Sequence, residues 1–139
     1  MLATRIERII AKGQLVGLPF GQTNVAISQT DVQLVGNQTA GYIMPFAGEI
    51  VAVTYHLNAN KTAGVLTIGP TVGGTEISAL TMTAANATAV GTKLVKRRTA
   101  AFSAGAEIGA EITTDANLLP AGSSELCVTV WVVLSMEGI

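Results

Sequence analysis

Residues 125–135 read ELCVTVWVVLS, and their alternation governs the reading of the rest of the chain. Leu126, Val128, Val130, Val132 and Leu134 fall on one side of an extended backbone, and Cys127, Thr129, Trp131, Val133 and Ser135 fall on the other. Successive strand residues point to opposite faces, so the first set makes the core face of a sheet. The second set, with Trp131 beside Val133, is too apolar to be left wet, because large contiguous apolar surface is seldom bare on a soluble monomer. Either the chain's own second sheet and loops cover it, or Trp131 and Val133 sit at an oligomer interface.

Upstream, Val51, Val53, Tyr55 and Leu57 alternate with Ala52, Thr54 and His56, which predicts a second half-buried strand with His56 facing out. Further short runs rich in Val, Ile, Thr and Ala fall at 24–28, 32–36, 64–68, 75–82, 92–95 and 106–114. Clusters of Gly, Asn and Pro at 58–60, 73–74 and 120–124 separate several of them and read as sharp reversals. The expected fold is all-β, an antiparallel domain over residues 14–139. The first 13 residues differ: Leu2, Ile6, Ile9 and Ile10 recur at helical spacing, Arg5, Arg8 and Lys12 lie off that stripe, and Gly13 can stop a helix. An isolated helix below about 12–15 residues is marginal in water, so this N-terminal arm needs a surface to pack on. Its Ile and Thr residues suit an extended arm as well.

At 139 residues the chain has the length of one ordinary domain. Hydrophobic residues make up 49% and charged residues only 12%, roughly half of the ~25% usual in soluble chains. Part of the surface is therefore expected to be covered by other subunits. A net charge of -1 and a pI near 5.7 lack the basic excess that neutralises phosphates, which argues against nucleic acid as a partner. One cysteine, Cys127, and one histidine, His56, exclude an intrachain disulfide and a zinc site of the Cys/His type within one chain. Arg5, Glu7, Arg8 and Lys12 interrupt the apolar stretch a signal peptide would need, and no run reaches the roughly 20 apolar residues of a membrane span. Synthesis in the cytoplasm without export by that route, and no membrane partner, are the expectations.

Catalytic chemistry is sparse. His56 is the one base of its kind, no G-x-S-x-G elbow occurs, and Ser123 and Ser124 read as a loop before the last strand. Residues 69–75, GPTVGGT, lack the lysine of a phosphate loop. Glu107 and Glu111 share a strand face, with Asp115 just beyond, and are candidates for a cation or for acid/base work. Alternation places Ile108, Ala110 and Ile112 inward and those carboxylates outward, in water or opposite the cations Lys93, Lys96, Arg97 and Arg98. That basic run has no interleaved aromatics, so it lacks a stacking platform for single strands. The N-x-T triplets at Asn37, Asn60 and Asn86 are expected by chance in such a chain. No catalytic residue, cofactor or metal ligand is expected.

Three passages carry a resemblance: GYIMPFAGEIVAVTYHLNAN (41–60), KTAGVLTIGPTVGGTEI (61–77) and AFSAGAEIGAEITTDANLLPAGSSELCVTVWVVL (101–134). The last is the most telling, with Phe102, Ala104 and Gly105, a strand around Ile108 and Ile112, the turn at Thr113–Asp115, Pro120, and a long final strand. Together they resemble the small jelly-roll decoration, or cement, proteins of tailed bacteriophages; Ala106 departs from the pattern, standing where Asp or a similar polar residue is expected. The resemblance implies a two-sheet jelly-roll sandwich, a homotrimer, and a non-enzymatic structural role on the outside of a virion, bridging capsomers of a major capsid protein. On that reading Ile6, Ile9 and Ile10, with Arg5 and Arg8 at their rim, form the capsid-binding arm, and Trp131 and Val133 lie between subunits. The rival expectation is a receptor- or glycan-binding head of a tail fibre or baseplate. Glycan sites usually present aromatic rings on loops, whereas here Tyr55 and Trp131 fall in strands.

Overall fold

The computed structural model describes residues 13–36 and 40–135. The arm, with Arg5, Ile6, Arg8, Ile9 and Ile10, lies outside the described residues. Eleven strands follow one another: β1 (Gln14–Gln22), β2 (Val32–Gln33), β3 (Gly41–Ile43), β4 (Gly48–Lys61), β5 (Leu66–Val72), β6 (Thr75–Glu76), β7 (Met82–Thr83), β8 (Thr88–Leu94), β9 (Ala101–Phe102), β10 (Glu107–Thr114) and β11 (Leu126–Leu134). A single 3-10 turn at Ser78–Leu80 separates β6 from β7. Sheet A has the order β1-β11-β4-β8, with β9 beside one end of β4; sheet B has the order β2-β10-β5-β6, with β3 beside β10 and β7 beside β5. Every pairing is antiparallel. The chain passes repeatedly from one sheet to the other, and this is the connectivity of a jelly roll.

The central strands supply the core. Val128, Val130 and Val132 of β11 are fully buried, as are Ile108, Ala110 and Ile112 of β10, and these rows meet Val53, Ile68 and Leu66 between the sheets. Each such side chain contributes about 1.5–3 kcal/mol by leaving water. At one edge an isolated bridge between Gly21 and Val35 links the sheets. Beside it Phe20 and Tyr42 pack edge to face with centroids 5.3 Å apart.

Three local readings change. Residues 24–28 form an irregular loop, because Asn24 and Ser28 adopt left-handed backbone at φ 52 and 55, although Val25 is buried and its N–H donates to Ser124 O at 2.9 Å. Residues 14–22, QLVGLPFGQ, form the long strand β1 despite two glycines and Pro19. β1 is the edge of sheet A, where a strand tolerates a missing N–H. In β4 the strict alternation breaks: Trp131 pairs with Ala52 but Val132 pairs with Ile50, so Val51 is the extra residue of a bulge. Ile50 therefore enters the core and Val51, expected there, turns to the outer side of the sheet. The GPTVGGT segment is the end of β5 and a two-residue hairpin into β6, with Gly73 and Gly74 both at positive φ, as this turn requires.

Candidate interaction surfaces

The outer face of sheet A is built from pleat and register. Rows across β1, β11, β4 and β8 place Gly17, Trp131, Ala52 and Leu94 side by side, then Pro19, Thr129, Thr54 and Thr92. The Trp131 indole donates from Nε1 to Thr54 Oγ1 at 3.0 Å. Its ring edge lies over Gly17, where a Cβ would come within 2.9 Å of Cζ3; glycine is what lets the ring lie flat across β1. Leu15, Val51, Leu94 and Trp131 line a shallow apolar groove of about 360 Å³ on this face. Leu94 is 70% exposed, Val90 63% and Leu15 59%, and those two rows carry no charged side chain. His56, exposed as expected, lies at the far end between Cys127 and Val90. The outward, half-buried setting of Trp131 and Val133 agrees with their period-2 reading.

Sheet B turns a different surface outward. Asp31, Glu76 and Glu111 bring carboxylate oxygens within 4.8 Å of one another. Register explains the meeting: Glu111 in β10 pairs with Gln33 on one side and Gly69 on the other, and the hairpin from β5 swings Glu76 over Gly69, where a side chain would collide with it. Gln33 Nε2 donates to Glu111 Oε2 at 2.9 Å, Thr81 Oγ1 to Glu76 Oε1 at 2.6 Å, and Thr113 Oγ1 to Asp31 Oδ1 at 3.1 Å. Glu111 is only 7% exposed, contrary to its expected place in water. Burial, then the charges of Glu76 and Asp31 and a hydrogen bond with Glu76, push its carboxyl above the usual range, while the Gln33 hydrogen bond pulls the other way.

The expected trio of Glu107, Glu111 and Asp115 does not come together as a cluster. Glu107 is exposed at the β3 side, and Asp115 Oδ1 instead accepts the N–H groups of Val65 and Asn117 at 2.9 and 3.1 Å. The basic run does not reach these carboxylates either: Arg97 pairs with buried Glu49, whose other oxygen accepts the Arg98 N–H at 2.7 Å. Ser124 is buried with no hydrogen bond from its hydroxyl, and so is not paired with His56 as a nucleophile would be with its base. A groove of about 840 Å³ opens at the Gly21–Val35 edge, between Phe20, Gln22, Gln33 and Tyr42, next to residues outside the described set. Among the described residues no helix is long and apolar enough to cross a membrane.

Pattern reading missed Asp31, Glu76, Gly17 and Val51. The first two belong to short elements whose partners are set by pairing across strands, and no local motif marks them. Gly17 and Val51 matter through a close approach and a bulge.

The architecture is therefore that of an antiparallel two-sheet jelly roll with one apolar and one acidic outer face. No protein-family model and no curated protein matches the sequence. In fold the chain is similar to one in the acidic stable capsid structure of Helicobacter pylori bacteriophage KHP30, with a TM-score of 0.50 and 13% identity over 87% of this chain and 88% of that one. A chain in the structure of Turnip Yellow Mosaic Virus at 100 K aligns at a TM-score of 0.38 and 12% identity, over 88% of this chain and 93% of that one.

Proposed function

We propose that this protein is a non-enzymatic structural component of a phage virion that decorates the outside of the capsid and bridges capsomers as a homotrimer. The observation that carries the reading is the apolar groove on the outer face of sheet A, lined by Leu15, Val51, Leu94 and Trp131, on a fold shared with a phage capsid chain. An apolar face of this kind is suited to be covered by protein, and Trp131 and Val133 are its residues for contact between subunits. The arm, through Ile6, Ile9 and Ile10 with Arg5 and Arg8, is the element that reaches the major capsid protein. Three arms on one trimer raise the effective concentration for each further contact, so individually weak docking sites suffice.

The test is the mass of the purified protein in solution, followed by co-sedimentation with empty phage heads. A trimer that pellets with heads is the expected result. A trimer that ignores heads but binds cells or glycans moves the assignment to a fibre or baseplate head, and a monomer that ignores heads overturns the reading. Removal of residues 1–12 is expected to leave a folded domain with weakened capsid binding; full binding without them removes the arm from the contact.

A further inference from the structure

Sheet A has two margins, β1 and β8, and each pairs with one strand of its own sheet along its length. In β1, Gly21 exchanges N–H···O bonds with Val35 at 2.9 and 3.3 Å, so its backbone groups point away from β11. Alternate residues repeat that direction. The Pro19 carbonyl accepts the Tyr42 hydroxyl at 3.0 Å, while the N–H and C=O of Gly17 and Leu15 face outward with no strand beside them among the described residues. In β8 the Val95 N–H donates to Val51 O at 3.1 Å, toward β4. Lys93 and Gly91 turn the same way, and Leu94, Thr92 and Val90 therefore point their backbone groups outward.

The two margins match in apolar character and are opposite in charge. Leu15 and Ile43 stand exposed on the β1 side, and Val90 and Leu94 on the β8 side. The connections at 44–47 and 103–106 put Glu107 at the same end of the sandwich as Gln14 and Gly48. There the Glu107 side chain lies across Gly41 of β3, whose Cβ would come within 2.6 Å of Glu107 Cγ, and so leans to the β1 side. Lys93, Lys96 and Arg98 are exposed at that end on the β8 side. None of these four charges forms an ion pair among the described residues. An open strand edge is a template for another strand. The matching edge of the same chain is about 14 Å away, at ~4.8 Å per strand, so only a second copy can bring it.

We propose that copies of this protein join head to tail, the β1 edge of one accepting the β8 edge of the next, so that sheet A continues from copy to copy. β1 and β8 run in opposite directions, so copies that share one orientation meet antiparallel. Leu15 faces the next copy's Leu94 and Gly17 its Thr92, as hydrogen-bonded pairs that exchange both N–H···O bonds. Pro19, without an N–H, ends the ladder. The same placement brings Glu107 toward the next copy's Lys93, Lys96 and Arg98, and it sets Leu94 beside Leu15 at the margin of the groove that Trp131 lines. Two unlike edges make a heterologous contact, which closes into a ring where the rotation allows. The closure at three rests on the homotrimer reading above.

Cysteine pairs test the contact, each in a chain with Cys127→Ser. Leu15→Cys and Leu94→Cys together should give cross-linked dimers and trimers on denaturing gels after mild oxidation, and neither substitution alone should give any. A cross-link with one cysteine alone, or none with both, overturns the proposal. Thr92→Pro removes an outward N–H that no strand of the same chain uses. With far-UV circular dichroism retained, it is expected to raise the dissociation constant of the assembly at least about tenfold, because the Gly17 carbonyl loses its donor. Glu107→Lys should weaken assembly too, by a factor that shrinks as salt is added. An assembly that neither substitution weakens also overturns the proposal. A solution trimer without the cross-links fails this pairing alone, and a cross-linked trimer that ignores phage heads fails the capsid reading alone.

Discussion

Sheet A turns Leu15, Val51, Leu94 and Trp131 outward, whereas the outer side of sheet B carries Asp31, Glu76, Glu107 and Glu111, although both sheets contribute to one apolar core. The described cations Lys61, Lys93, Lys96, Arg97 and Arg98 lie on β4, β8 and the loop after β8, away from the carboxylates of sheet B, and Arg97 pairs with Glu49 at the Leu15–Val133 end of sheet A. The pleat obliges each strand to have an outer side and leaves its chemistry free. A mostly apolar outer side invites covering protein, while clustered carboxylates repel a second copy of themselves. The comparison makes sheet A the side that the proposed assembly would use.

The largest expected effect separates the two faces by stability. Trp131→Ala removes the indole that spans Gly17 and Thr54, and we expect a loss of about 2–3 kcal/mol, below the range for a fully buried aromatic because this one is half covered. Thr67→Val, at a comparably half-exposed place on sheet B, should stay within about 0.5 kcal/mol. Urea unfolding with unchanged slope measures both. Equal losses would break the contrast, since they would mean that the tryptophan contributes no more than an ordinary solvated strand residue.

The parts of this contrast that could be read from residues alone are those set by alternation within one strand. The inner row of β11, the outward Trp131 and the exposed His56 all follow from period 2. Interruptions of the period escaped: Val51 is displaced by a bulge that depends on the pairing of β4 with β11, and β1 hides behind Gly17, Pro19 and Gly21, which are poor strand formers in isolation. The acidic cluster was only one-third visible. Glu111 stands out by sequence, but its partners come from residues 31 and 76, which only sheet order brings to it. Glu107 and Asp115 looked equivalent to Glu111 by spacing and differ from it because β3 and the Val65 loop, respectively, receive them.

Next in size is the pH response of the acidic face. With the folded-state carboxyl of Glu111 raised, the folded protein holds a proton there that the unfolded chain releases just above the ordinary value of 4.5. Stability from this group is fully present below that value and is lost as pH rises through the raised folded value. Glu111→Gln keeps a donor for Glu76 and an acceptor for Gln33 without the charge, which imitates the protonated carboxyl. The variant is expected to unfold at a higher temperature than the parent at pH 7, and the two should converge as pH falls toward 4.5. Thermal melts at several pH values test this, and a constant gap between the proteins would mean that Glu111 does not titrate differently on folding.

The smallest effect asks whether the carboxylates act as a unit. Thr81→Val keeps the shape of the side chain but removes the hydroxyl 2.6 Å from Glu76 Oε1. The contact is exposed, so the expected loss is about 0.5–1 kcal/mol at neutral pH. Without that donor the Glu76 charge is held less firmly beside Glu111, and the two sites should couple. In a double-mutant cycle with Glu111→Gln we expect a non-additive energy of at least about 0.5 kcal/mol, the scale found for residues in one network. Coupling of that size would tie β6, β10 and the turn before β7 into one acidic patch, the counterpart of the apolar rows on sheet A. Strict additivity would dissolve the patch into separate surface charges and leave sheet A as the one organised face of the sandwich.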